Sequence, residues 1–348
     1  MSVARRISSH GPARRPPAHP HPHRAAAAAA LPLLPQLPLL ALLPLLALLV
    51  LAACASATRP TTVPVARPPG IERAAPVSAA SAALARYYRR VENSFLAQGL
   101  LRDDGGGPDV PFSRRDLVDD FIRIALYDEY LVRGGRVIAS QTPSTLHRWA
   151  SPIRMQLHFG RTITPARRQA DRDQIRRFTQ RLTRLTGIPI RLIGADAPEP
   201  NFHVFIVNED ERRQLARTLD TLVPGIGPGP MRALSEMERS TFCLVFAIDP
   251  DGDAIYNQAV ALIRAEHPER MRRACIHEEL AQAMGLPNDS PRARPSIFND
   301  DEEFALLTTH DELLLRMLYD PRMHPGMDAT AAREVARTIA GELLDGQG

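Results

Sequence analysis

The chain contains no lysine; all 43 of its Lys-plus-Arg residues are arginine. The accompanying richness in alanine is the bias of a GC-rich coding sequence, so the formal charge of +4 does not by itself mark a nucleic-acid binder. The arginines are interleaved with acids, as in RRQADRDQIRR and NEDERRQ, which is the pattern of a solvated helix face rather than a phosphate-binding stripe. No nucleic-acid partner is expected. No internal repeat is visible. Residues 224–230, PGIGPGP, lack the lysine and the following helix of a phosphate loop and are expected to form a turn. DPDGD at 249–253 opens like a calcium loop, but the twelfth position is Val260 rather than Glu, so an acidic hairpin turn is expected. No Ser-His-Asp arrangement can be argued.

Acids are also missing from residues 1–24, which carry several Arg, Pro and His. Residues 25–53 are almost wholly Ala and Leu, broken by Pro32, Pro35, Pro38 and Pro44. A basic region followed by an apolar run is a secretory signal layout. The prolines weaken the competing reading, a transmembrane helix, because each removes a helical hydrogen bond. Leu51-Ala52-Ala53-Cys54 resembles the bacterial lipobox, which implies cleavage before Cys54 and lipidation of that residue. Ala55 and Ser56 follow, with no Asp beside the cysteine, which favours the outer membrane. Only three cysteines are present, so Cys243 and Cys275 remain. In an oxidising compartment they are expected to form one disulfide, worth about 3–4 kcal/mol by loop entropy.

The expected organisation is a signal peptide (1–53), a lipidated Cys with a Pro-rich tether (54–76), a helical linker region (77–112), a globular domain (113–328) and a C-terminal helix or tail (329–348). Ser113 with Asp116 three residues on predicts a capped helix start, with Leu117, Phe121, Ile124, Ala125 and Leu131 as its apolar face. Strands are predicted at 153–160, 188–194 and 202–208, and a long helix at 165–186 ends at Gly187. A helix is predicted over 208–223, then TFCLVFAI and AIYNQAVALIR as paired strands, and then another helix. This order predicts an α+β, or mixed α/β, domain.

That last helix carries CIHEELAQAMGLPND at 275–289. A zinc-protease helix reads His-Glu-x-x-His, because ligands at i and i+4 share a face. Starting from His277-Glu278, the second ligand position holds Ala281, and that register fails. Counting back from Gly285, where the extended motif turns the chain, puts the ligand positions at Glu278, Gln282 and Asn288, and the general base at Glu279. Every histidine has been replaced by a residue that offers an oxygen. His277 lies off the 278/282 face by about 100° and is expected to cap or face solvent, as is His310 in TTHDE.

Downstream, Phe298 stands near the Met-turn position of the matrixins, a branch of the metzincin proteases. LTTHDELLLRMLY places Thr308, Asp311, Leu318 and Tyr319 where that branch has a Ser/Thr-x-x-Asp helix ending in a Leu/Ile-Tyr pair. Residues 151–320 therefore distantly resemble a metzincin catalytic domain, which implies a twisted mixed sheet with a long active-site-type helix. More specifically, the chain resembles a bacterial lipoprotein family built on a domain of unknown function. Its marks are EE-x-x-Q-x-x-GL-x-ND, SIFND and LYDPR-x-x-PGM, present here at 278–289, 296–300 and 318–327.

Zinc prefers imidazole and thiolate, and Gln and Asn bind it poorly; an oxygen-rich set suits a hard ion better. No cofactor is therefore expected, with a divalent metal, zinc or calcium, as the alternative. The expected function is binding or scaffolding in the cell envelope by a catalytically silent domain, facing the periplasm, held to the membrane by its lipid and partnered by an envelope protein or peptide. The alternative is a metal-dependent peptidase with Glu279 as general base.

Overall fold

The computed structural model describes residues 74–346, apart from 134, 135, 195, 196 and 198. The signal segment, Cys54 and most of the tether lie outside the described residues. The order is α1 (Ala79–Ala97), α2 (Arg114–Ala125), β1 (Tyr127–Arg133), β2 (Arg136–Pro143), β3 (Arg148–Trp149), β4 (Ile153–Phe159), α3 (Pro165–Thr186), β5 (Ile190–Ile193) and β6 (Phe202–Val207). There follow α4 (Glu209–Arg212), α5 (Ala216–Leu222), α6 (Pro228–Ser235), β7 (Cys243–Ile248), β8 (Ile255–Tyr256), β9 (Gln258–Arg264), α7 (Glu269–Gln282), α8 (Thr309–Leu318) and α9 (Ala329–Asp345). The domain is mixed α/β, as the sequence predicts.

A five-stranded sheet runs β5-β4-β6-β9-β7, with β7 antiparallel to β9 and the other pairs parallel. β7 is apolar along its whole length and β9 from Ala259 to Ile263, because both faces are covered there. Side chains alternate across the sheet. Val204, Ile206, Val245, Ala261 and Ile263 enter one core with Phe178 and Leu182 of α3 and Ile276 of α7. Phe205, Val207, Phe246, Val260 and Leu262 enter a second core with Leu219 of α5, Leu234 of α6 and Tyr130 of β1. α1 also joins the first core: Tyr88 is buried and its hydroxyl donates to the Arg239 carbonyl at 3.0 Å. α3 begins at Thr164 and Pro165 and ends at Gly187 in the left-handed region, matching the predicted bounds.

Three segments differ from the sequence reading. α2 starts with the predicted Ser113–Asp116 capping box but stops at Ala125, and Leu131 lies in β1 of a two-stranded hairpin. Its end is set by a distant loop: Asn288 donates its backbone N–H to the Ile124 carbonyl (3.1 Å) and its Nδ2–H to the Arg123 carbonyl (2.7 Å). Last-turn carbonyls need such partners. The predicted helix over 208–223 is two short ones, α4 and α5. Glu209 at the start of α4 pairs with Arg212, Arg213 and buried Arg264, and Arg212 donates to the carbonyls of Leu234 and Ser235, which fixes α4 against the end of α6. PGIGPGP is a turn only at its start, since Pro228 is the first residue of α6, where a proline is well tolerated. The acidic turn after β7 is as expected: Asp249 accepts from the N–H groups of Gly252 and Ala254, both at 2.8 Å.

Candidate functional site

α7 leaves β9 directly and is buried along its second half on every side. Cys275 is disulfide-bonded to Cys243 of β7, with Cα atoms 5.8 Å apart, so the helix is tied to the sheet edge. The carbonyls at its C-terminal end are also satisfied. Trp149 Nε1–H donates to Ala283 O (2.9 Å) and the Tyr319 hydroxyl to Met284 O (2.8 Å). Gly285 then turns the chain at φ +118°, and a Cβ there would lie 2.1 Å from the His147 carbonyl oxygen. The turn brings Asn288 back toward α2 and positions Asp289, whose carbonyl accepts from Gln141 Nε2–H of the hairpin at 3.2 Å.

The residues expected at the site on and after the motif helix are all buried. Glu279, Gln282 and Asn288 have no exposure, Asp289 has 1% and Glu278 5%. Glu278 and Gln282 are one helical turn apart and Glu279 is three residues from Gln282, so the three are side-chain neighbours on α7. Carboxylate oxygens of Glu278 and Glu279 lie within 4.8 Å of each other and of Cys243 Sγ, but that sulfur is in the disulfide and is not a thiolate ligand. Neither amide atom of Gln282 has a hydrogen-bond partner, nor has Asn288 Oδ1. At Asn288, one of the expected ligand positions, Nδ2–H donates to the Arg123 carbonyl of α2, which fixes the amide and leaves Oδ1 as its acceptor atom.

The hairpin contributes a residue that the sequence reading missed. Glu129 in β1 has a buried carboxylate oxygen, Oε2, without a hydrogen-bond partner. Its carboxyl is held well above the usual range, first by burial and then by the charge of Asp289; a hydrogen bond with Tyr130 opposes this, and Asp300 and Glu278 add to it. Placing Glu129 within an α2 that ran on to Leu131 hid it. The Gly-Gly pair at 134–135 between the runs YDEYLVR and RVIASQ is the available hairpin signal.

The loop after the site is held by α8. Its start is the Thr308–Asp311 capping box, and Asp311 also accepts from Ser296 Oγ–H (2.5 Å) and Ile297 N–H (3.1 Å), which places Phe298 fully buried beneath the loop. The two histidines differ from expectation. His277 is mid-helix, stacked on Phe178 at 3.9 Å, and its Nδ1 accepts from Leu307 N–H, because its face of α7 packs on α3 rather than on solvent. Burial foremost, then Arg181 and Arg273, lower its pKa to about 3. His310 is fully buried, with Nε2 3.3 Å from Asp120 of α2 and Nδ1 3.7 Å from Asp311. Burial alone would lower its pKa, but the two carboxylates reverse this and raise it to about 9. Both histidines serve packing.

Chemically, the cluster presents carboxylates and amide oxygens and neither imidazole nor free thiolate. That donor set does not fit zinc and does fit a hard cation.

The comparisons agree with the expected domain of unknown function. No curated protein and no solved structure matches the chain. A family model described as "Protein of unknown function (DUF2927)" matches residues 114–338, from the first residue of α2 into α9 and including every residue of the cluster. With well over half its length in that match, the chain belongs to the DUF2927 family.

Proposed function

We propose that this chain is an exported lipoprotein of a bacterial cell envelope, anchored through Cys54, whose domain is a metzincin-like scaffold turned into a catalytically silent binding module. The observation that carries the reading is the closed, imidazole-free state of the motif helix. The positions equivalent to zinc ligands are Glu278, Gln282 and Asn288, and the position of the general base, Glu279, has no solvent exposure. A metal-dependent hydrolase needs a metal that activates water and a path for substrate to reach it.

The metzincin likeness draws support from three features. A long helix follows the last strand of a mixed sheet, Gly285 turns the chain at that helix end, and a buried Phe298 is held by a Thr308–Asp311 capped helix. Export draws support from the disulfide, since such bonds persist in oxidising compartments. Among the described residues no helix is long and apolar enough to cross a membrane.

The test of silence is hydrolysis of an unfolded protein by the full chain, supplied with zinc, beside its Glu279→Gln variant. The two are expected to be indistinguishable from background. Hydrolysis by the wild type that falls about 10²–10⁴-fold in the variant would establish Glu279 as a general base and sink the reading. The test of the anchor is Cys54→Ser, expected to release the protein from membranes with the domain folded. Retention of that variant in salt-washed membranes, with normal processing, would defeat the lipoprotein assignment.

A further inference from the structure

We propose that the outward side of α1 is a docking face for the anionic phospholipid headgroups of the membrane that holds the lipid anchor. The inward side of this helix is explained by packing. Tyr88 is buried in the first core, and Glu92, the only acid of α1, accepts from the Met271 N–H in the first turns of α7 at 2.9 Å. The outward side has no such explanation. Its exposed residues are alanines, Asn93, Ser94, Leu96 and three arginines, Arg86, Arg89 and Arg90, with no acid among them. This differs from the interleaved charges of α3, which mark a solvated face.

Neighbouring elements extend the positive face. The Ala75 N–H donates to the Arg161 carbonyl at 2.9 Å, which puts exposed Arg161 beside the approach to α1. Exposed Arg239 holds its guanidinium over the ring of Tyr87 at 5.1 Å. Glu238, exposed next to Arg239, offsets part of that charge, so the three arginines of α1 carry the face. Exposed apolar surface is the second support and is independent of charge. Val77, just before α1, and Leu96, in its last turn, are with Ile138 the exposed large apolar side chains of the described residues. Arginine beside exposed apolar residues on one helix suits an interface where headgroups meet acyl chains.

The length of chain before α1 selects a lipid surface as the occupant. About 20 residues separate Cys54 from Ala75, a stretch whose fully extended reach is about 70 Å. α1 is therefore the first helix of the domain reached from the anchor. This step rests on the lipoprotein reading; the charge and the exposed apolar residues do not. Guanidinium groups bind phosphate oxygens bidentately, and the small alanines let the helix lie close to the headgroups. Each arginine near an anionic surface adds about fivefold to partitioning, an effect that salt screens. A short tether supplies an effective concentration in the millimolar range, so a modest intrinsic affinity is enough to keep the face down.

The experiment is arginine footprinting of the full chain reconstituted in vesicles, with phenylglyoxal, a neutral arginine reagent, read residue by residue by mass spectrometry. The vesicles are phosphatidylcholine alone or a mixture of phosphatidylcholine and phosphatidylglycerol. In the anionic mixture Arg86, Arg89 and Arg90 are expected to react about fivefold more slowly, or slower still, than in the neutral vesicles. High salt should abolish the difference. Arg115, Arg316 and Arg337, exposed on α2, α8 and α9, should react equally in both. Replacing Arg86, Arg89 and Arg90 together by glutamine should weaken docking about a hundredfold, read as lost protection at Arg161. Exposed substitutions of this kind leave the fold intact, which the unfolding midpoint verifies. Equal reactivity of the α1 arginines in the two vesicles overturns the proposal, as does protection that survives high salt or that extends equally to Arg115, Arg316 and Arg337. Protection that appears only when peptidoglycan or envelope protein is added gives the face to that partner and overturns it too. The intact mass of the same sample shows whether Cys54 carries acyl chains, and the footprint is read in either case. Failure of the anchor reading is thereby distinguishable from failure of the docking face.

Discussion

Replacing Gly285 by alanine is expected to destabilise the domain by about 3 kcal/mol or more, enough to unfold a marginal protein. Two effects add. The residue sits at φ +118°, which side chains other than hydrogen rarely adopt, and the new Cβ would lie 2.1 Å from the His147 carbonyl oxygen and 3.0 Å from Leu318 Cδ2. The oxygen belongs to the backbone, so no rotamer change relieves the clash. Nor can the turn retreat easily, because Trp149 and Tyr319 hold the two carbonyls just before it and Asn288 holds α2 just after it. Gly187→Ala is the control: its φ is +74° but nothing lies within 4 Å of its Cβ, so it bears the conformational strain alone, about 1 kcal/mol. Urea unfolding of the two variants separates strain from collision. Equal losses at both positions would show that the contact with His147 carries no weight.

Removal of the Cys243–Cys275 bond is the second large effect. Closing 32 residues constrains the unfolded chain by about 3–4 kcal/mol. Both cysteines are almost fully buried and each belongs to the first core, so the paired alanine variant also loses packing. The bond ties the motif helix to the antiparallel edge strand, and its loss is expected to loosen α7 more than the sheet, whose other strands keep their ladders. Unfolding midpoints measured with and without reductant give the size of the effect. Hydrogen exchange places it along the chain. If reduced and oxidised protein unfold at the same denaturant concentration, the bond contributes nothing and the loop-entropy account fails.

These two constraints act on one region: the disulfide holds the middle of the motif helix and Gly285 shapes the turn at its end.

Local signals in the sequence by themselves determined the parts of this protein that depend on neighbours along the chain. The β6, β7 and β9 strands were legible as apolar runs of the right length, α3 by Thr164, Pro165 and Gly187, and the starts of α2 and α8 by their capping boxes, because periodicity and end-capping act over one or two turns. The pairing of Cys243 with Cys275 followed from there being two cysteines left once Cys54 was assigned to lipid. Tertiary structure alone decided where α2 stops, since Asn288 accounts for that from 165 positions away. It alone decided that His310 is buried between Asp120 and Asp311 and that His277 packs on Phe178, because a helical histidine looks the same in sequence whether it meets water or another helix. It alone brought Glu129 to Glu278 and Asp289: charges in segments so far apart acquire meaning only when burial removes the water that separates and screens them.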